Sequence, residues 1–220
     1  MAQQERAIRT RRAILEAAAT VFAERGYAAA TIAEILAQAG VTKGALYFHF
    51  GSKEELARGV LSAQVSGGRP VPQASKLQEW VDVGLVLAHR LPRDPILQAG
   101  ARLTLEPEVR ELLGEEGGTA WAAWAEVSAG MLAEAQRRGE VLPHVNPKET
   151  AELMVGTWTG VQLVSQFSSG WADLEMRIAA LFRHFLPAIA VPAILGHLDT
   201  SPERGARLVA EADQQVADQG

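Results

Sequence analysis

Cysteine is absent from the 220 residues. That excludes a disulfide scaffold, a thiol nucleophile and cysteine-based zinc sites, and it fits a reducing cytoplasm. Also missing is any apolar run long enough to span a bilayer; the nearest candidate, Phe185 to Leu198, is short and holds Pro187 and Pro192. The N-terminal stretch has no signal-peptide core, because Arg6, Arg9, Arg11 and Arg12 interrupt it at once. A cytoplasmic protein without membrane contact is therefore expected. Enzyme signatures are lacking too: there is no Gly-x-Ser-x-Gly, no glycine-rich phosphate loop and no His-Glu-x-x-His. His49, His89, His144, His184 and His197 lie too far apart for a local metal pair. Neighbouring carboxylates such as Glu115 and Glu116 sit in a glycine-rich loop and read as solvated charge rather than acid-base machinery. Neither an enzyme nor a metal or cofactor protein is expected.

What is present is helix. Apolar residues recur at helical spacing from Thr10 to Arg25, with Ile14, Ala17, Ala18, Val21 and Phe22 as a core stripe closed by Gly26, and again from Lys53 to Gln64. The segment VSGGRPVPQAS that follows is rich in Gly, Pro and Ser and reads as a linker. Beyond it, helices are expected near Lys76 to Arg90, Pro95 to Leu105, Pro107 to Leu113, Thr119 to Arg138, Pro147 to Ser168 and Trp171 to Phe185. No strand pattern, internal repeat or low-complexity segment interrupts them. The fold class is all-α, with a small domain over residues 1–64 and a larger one over 65–220.

The most telling stretch is Thr31 to Phe50, TIAEILAQAGVTKGALYFHF. Ile32, Ile35, Leu36 and Ala39 make one apolar helix face with Thr31 as N-cap, and Gly40 stops the helix where a left-handed residue is needed. Thr42 caps a second helix only a short turn later, the spacing of a helix-turn-helix. On that helix Thr42, Lys43, Gly44, Tyr47 and His49 are expected to face solvent, with Ala45, Leu46 and Phe48 or Phe50 turned inward. The outward residue types suit double-stranded DNA. Lys43 supplies a cation, Thr42 a hydroxyl and methyl, Gly44 close backbone approach and Tyr47 an aromatic edge with a hydroxyl. Lys53 and the backbone N–H groups behind Ser52 would hold a phosphate.

Net charge is -5, yet its distribution favours a local DNA footprint. Residues 1–60 carry eight Lys or Arg against six acids, a surplus of two, so the remainder carries a net -7. Phosphate contacts act within a Debye length of roughly 8–10 Å, so a mildly basic head on an acidic body is sufficient. The Arg cluster ahead of the first helix is expected to form an arm over the DNA backbone or a solubilising tail.

Residues 8–64, with GVTKGALYFHF followed by SKEEL, resemble the DNA-binding domain of TetR-type transcriptional regulators. The opening RAIRTRRAILEAAATVFAERGYAAATIAEIL and the distant GEVLPH, VGTWTGVQLVSQ and FLPAIAVPAILGHLD followed by SPERGARL are similar to the branch of gamma-butyrolactone autoregulator receptors of filamentous antibiotic-producing bacteria. The resemblance covers nearly the whole chain. It implies a homodimeric repressor on a pseudo-palindromic operator, released by a gamma-butyrolactone or butenolide, or in an orphan relative by an antibiotic or other hydrophobic ligand. The acidic sequence pI of 5.6 sides with the true receptors of that branch.

The same resemblance implies dimerisation through the last two long helices. These carry apolar residues on more than one face, including Leu153, Val155, Trp158, Val161, Leu163 and Val164 and then Ile178, Leu181, Phe182 and Phe185, with Gly156 and Gly160 permitting close approach. Val161 is the position at which a charge would test the interface. A ligand of this class needs apolar walls, a flat aromatic surface and one or two polar contacts. Gln64, Trp124, Thr157 and Trp158 are the polar and aromatic candidates, with Val83 and Leu87 as walls. The resemblance implies a cavity tryptophan in the helix over 119–138, placed at Trp124 with Trp121 as the alternative. Thr157 would otherwise back-bond within its own helix.

Overall fold

A computed structural model describes residues 2–66, 72–113 and 120–217. The centre of the expected linker and the Glu115–Glu116 pair lie outside the described residues. In chain order the helices are α1 (Ala2–Ala29), α2 (Ile32–Ala39), α3 (Lys43–His49), α4 (Lys53–Ser66), α5 (Lys76–Arg90), α6 (Pro95–Leu103), α7 (Pro107–Leu113), α8 (Ala120–Arg137), α9 (Pro147–Ser169), α10 (Leu174–Ile189), α11 (Pro192–Leu195) and α12 (Arg204–Ala217). No strand forms among the described residues; a single antiparallel bridge joins Val141 and Ala190.

The chain forms two compact units. The first comprises Met1–Gly67 together with Asp94–Ala120. Its core brings Ile14, Ala18 and Phe22 of α1 against Ile35, Leu46, Phe50, Leu56 and Val60, with Ala99 and Leu103 of α6 closing it. The segment 94–120, which the sequence reading gave to the larger domain, is thus part of this unit. Local chemistry explains why. Gly26 (φ 77, ψ 175) breaks the helical path of α1, leaving carbonyls without intrahelical partners. Arg102 of α6 donates through Nη1 to the carbonyls of Ala23 and Glu24, each at 2.9 Å, and Glu106 accepts the Tyr27 N–H at 2.7 Å. Helix α1 begins at Ala2, so Arg6, Arg9, Arg11 and Arg12 ride on it rather than form an arm ahead of it.

The second unit comprises Gly68–Arg93 and Trp121–Gly220. At its centre α5 buries Leu77, Trp80, Val81, Gly84, Leu85 and Ala88. Trp80 meets Phe182 of α10 edge-on at 5.4 Å and donates from Nε1 to Ser128 Oγ of α8 at 2.6 Å. The sequence reading did not foresee α12. It crosses α5 at Gly205, where any Cβ would collide with the Leu85 carbonyl. Arg204 beside that glycine pairs with the buried Asp82 carboxylate through Nε at 2.5 Å and Nη2 at 2.8 Å. Gln78 completes the joint, donating to Asp82 and exchanging two hydrogen bonds with the Asp199 backbone.

The corner between α9 and α10 turns through Gly170 (φ 60, ψ 36) and Trp171 (φ 69). Asp173 fastens it, accepting from Ser165 Oγ at 2.6 Å, Ser169 Oγ at 2.8 Å and Arg177 Nε at 2.6 Å. The two hydroxyls first, then Arg177, hold the Asp173 carboxyl down at about 2. A carboxyl depressed below its unfolded value of about 3.9 stabilises the fold fully above that value and loses this contribution as pH falls toward about 2. Accordingly, Asp173→Asn is expected to melt below the native protein at pH 5–8, with the gap closing between about pH 4 and pH 2. Melting curves across that range check it; a gap independent of pH would refute the assignment.

Candidate DNA-reading helix and ligand-site residues

The helix-turn-helix is built by its caps. Thr31 and Glu34 form a reciprocal capping box: Glu34 N–H donates to Thr31 Oγ1 at 3.2 Å, and Thr31 N–H donates to Glu34 Oε2 at 3.0 Å. The Thr31 hydroxyl also donates to Glu34 at 2.8 Å, and these bonds hold the Glu34 carboxyl below its ordinary value. Both donors of Thr31 are therefore occupied, although the residue is exposed. Gly40 adopts φ 63, ψ 30 and donates its N–H to the Leu36 carbonyl, ending α2. Thr42 Oγ1 accepts the Ala45 N–H at 3.2 Å and starts α3.

On α3 the structure exposes Lys43, Gly44 and Tyr47. Lys43 Nζ lies 5.8 Å from the Tyr47 ring centre, and the space over Gly44 is open. His49 is half-buried and meets Phe48 edge-on, with ring centres 5.1 Å apart. Phe48 itself departs from the inward placement considered for it, being 81% exposed, while Leu46 and Phe50 are buried. The sequence held the signal. At about 100° per residue, Phe48 stands roughly 200° from Leu46 and cannot share its face. Phe50 lies beyond the helix with extended backbone (φ -142, ψ 114) and so escapes that periodicity. Arg11 stacks its guanidinium 4.8 Å above the Phe50 ring.

Lys53 is half-buried: its Nζ lies 4.5 Å from the Tyr27 ring centre and donates to the Ala28 carbonyl at 3.4 Å. Burial pushes its ammonium below the ordinary value, against the pull of Glu106 and Glu34. The N–H groups behind Ser52 are partly engaged as well. Glu55 N–H donates to Ser52 Oγ at 3.1 Å, and Glu55 reaches back to the Gly51 N–H at 2.7 Å.

The expected ligand-site residues fall in both units. Gln64, on α4 of the first unit, lies over Gly100 and has a buried Oε1 with no hydrogen-bond partner. In the second unit Val83 and Leu87 are half-buried on α5, four residues apart on one face. Trp124 is half-buried on α8, whereas the alternative, Trp121, is exposed. Trp124 shares its face with Ser128, one turn further on, the residue that binds Trp80 of α5. Thr157 donates its hydroxyl to the Leu153 carbonyl at 2.8 Å. Trp158 is half-buried, and its Nε1 is buried without a partner. That nitrogen would lie 3.7 Å from a Cβ built on Gly84, so it faces α5.

The description "Bacterial regulatory proteins, tetR family" matches residues 14–60. Over 216 residues the chain is 43% identical to the A-factor receptor protein of Streptomyces griseus, covering 98% of this chain and 76% of that protein. The chain belongs to the TetR family of bacterial transcriptional regulators. Among solved structures, TylP, a TetR regulator from Streptomyces fradiae, matches with a TM-score of 0.84 at 42% identity, covering 96% of this chain and 93% of that one. A gamma-butyrolactone receptor described as ArpA-like matches with a TM-score of 0.67 at 28% identity, covering 94% of this chain and 98% of that one. No helix among the described residues is long and apolar enough to cross a membrane.

Proposed function

We propose that the protein is a cytoplasmic homodimeric repressor that holds a pseudo-palindromic operator and leaves it when a gamma-butyrolactone or butenolide signal binds the second unit. The genes it controls would belong to secondary metabolism. The observation that carries this reading is the 43% identity to the A-factor receptor protein along 98% of the chain. Residues 1–64 act as the DNA-binding domain and 65–220 as the ligand-binding and dimerisation domain, with segment 94–120 packed into the first unit. Release needs no contact between ligand and DNA. The ligand binds more tightly to the arrangement of heads that does not fit the operator, and by linkage the operator weakens ligand binding equally.

On α3, Lys43, Tyr47 and Gly44 approach the DNA, with Thr42 and His49 at its ends, Lys53 toward the phosphates and Thr31 near the DNA as the cap that sets α2. Exposed Phe48 joins them as an apolar surface for a thymine methyl group or a sugar. The ligand meets Trp124, Trp158 and Thr157 with Val83 and Leu87 as apolar walls in the second unit. The test is an operator gel shift at several salt concentrations. Lys43→Ala is expected to weaken binding across sequences and reduce the salt slope by about one. Tyr47→Ala should lower operator affinity by roughly tenfold, about 1.4 kcal/mol, with the melting temperature unchanged. Native affinity and slope in both variants would remove α3 as the reading helix.

A further inference from the structure

Two rows of residues face away from the buried Leu46 along α3, each a pair spaced four apart: Lys43 with Tyr47, and Gly44 with Phe48. The first row is cationic and polar, with Lys43 Nζ 5.8 Å from the Tyr47 ring centre. The second is apolar, and the fold makes no use of it. Phe48 is 81% exposed. A Cβ built on Gly44 would meet nothing within 4 Å, so the Phe48 ring also stands clear of that point. The fold demands glycine elsewhere: Gly26 takes a positive φ, and Gly205 lies against the Leu85 carbonyl. It makes no such demand at Gly44, although glycine weakens a helix relative to alanine. His49, half-buried, meets Phe48 edge-on with ring centres 5.1 Å apart and props that ring from the C-terminal side. Bare backbone at Gly44 and the ring one turn later thus form a shallow apolar notch on the surface of α3.

We propose that this notch seats the 5-methyl group of a thymine in each operator half-site, which makes Gly44 and Phe48 specificity-determining residues. This rests on the reading of α3 as the DNA helix and adds a base that it selects. Among the base edges of the major groove, only thymine presents a methyl group. A sugar would also offer an apolar contact, but it carries no sequence information and lies with the phosphates at the border of the groove. The missing side chain at Gly44 brings the helix backbone close to the base edge, where a methyl group is small enough to enter. The neighbouring row has a different task, since the Lys43 ammonium suits O6 and N7 of a guanine. The two rows therefore divide the readout between a donor contact and an apolar one. Both lie within residues 14–60, the stretch that matches the family of bacterial regulatory proteins.

The test uses the full-length protein and operator duplexes that it selects from a random pool. Each thymine is replaced in turn by deoxyuridine, which pairs as thymine does and lacks only the 5-methyl group. Gel shifts are expected to show a thymine position at which uracil weakens native binding by about fourfold for each methyl removed. Phe48→Ala should bind the thymine operator more weakly and treat thymine and uracil alike at that position. Gly44→Ala fills the notch without meeting another residue, so it should fold at least as stably as the native protein while losing the preference for thymine. A Gly44→Ala variant that keeps the preference overturns the proposal. So does a uracil effect that is absent from the native protein, or one that Phe48→Ala shows undiminished at every position; α3 then remains the reading helix as long as Lys43→Ala weakens binding. If the native protein enriches no sequence from the pool, the operator reading fails and takes the proposal with it.

Discussion

The double variant Leu153→Asp, Val164→Asp is expected to sediment as a monomer and to bind the operator at least a hundredfold more weakly than the native protein. Leu153, Gly156, Gly160, Val164 and Phe167 are all exposed, and their spacing of three or four residues draws one line along α9. Phe167 is 87% exposed, Leu153 59% and Val164 55%, and the two glycines have open space above them. Each such Leu, Val or Phe gains about 1.5–3 kcal/mol when covered, and an apolar line of this length is what a dimer interface would cover. The line also corrects the position to test. Val161, the sequence-level choice, is half-buried and lies off it. Four carboxylates across a two-fold interface would be desolvated without partners, which costs several kcal/mol. Losing the dimer then removes the effective concentration by which one bound head assists the other, a factor on the order of 10² to 10⁴. Equilibrium sedimentation of native and variant protein decides the matter. A native monomer removes the dimer reading, and a variant that remains a dimer with native operator affinity places the interface elsewhere.

What the sequence made legible was chemistry confined to a few neighbouring residues. Thr31, Gly40 and Thr42 act at the positions where a chain reader would put a cap, a stop and a cap, because capping depends on residues three or four apart. The start of α5 was readable for the same reason, since Ser75 caps it. The joints across long sequence separation were not. Asp82 looks like an ordinary polar residue on an amphipathic helix until Arg204, 122 positions later, is seen to close on it. Nothing in the residues around Arg102 announces that its guanidinium will serve the end of α1. Phe48 is a different case. Its outward direction followed from helical geometry, and the apolar character of the residue argued for burial against it. The unpaired Trp158 nitrogen belongs to neither class, since only a packed interior shows which donors have found partners.

Trp124→Ala is expected to leave a protein that still shifts the operator but that a gamma-butyrolactone or butenolide no longer releases at native concentrations. The indole is half-buried on α8, on the face whose next turn carries Ser128 toward Trp80 of α5. If it forms the flat wall of the site, truncation removes about 2–4 kcal/mol of ligand binding, at least a thirtyfold loss. With α3 as the reading helix, in the other compact unit, the apo protein should retain its operator complex. Gln64→Ala supplies the contrast. It deletes a single unpaired acceptor in the first unit and should move the release concentration less than Trp124→Ala does. The measurement is a gel shift titrated with ligand for native protein and both variants, with melting temperatures recorded to confirm folding. Release of the Trp124 variant at the native ligand concentration would make that tryptophan a packing residue and move the site away from α8. If no butyrolactone or butenolide releases even the native protein, a TetR-family regulator answering to another hydrophobic molecule, an antibiotic among them, becomes the better account of the same fold.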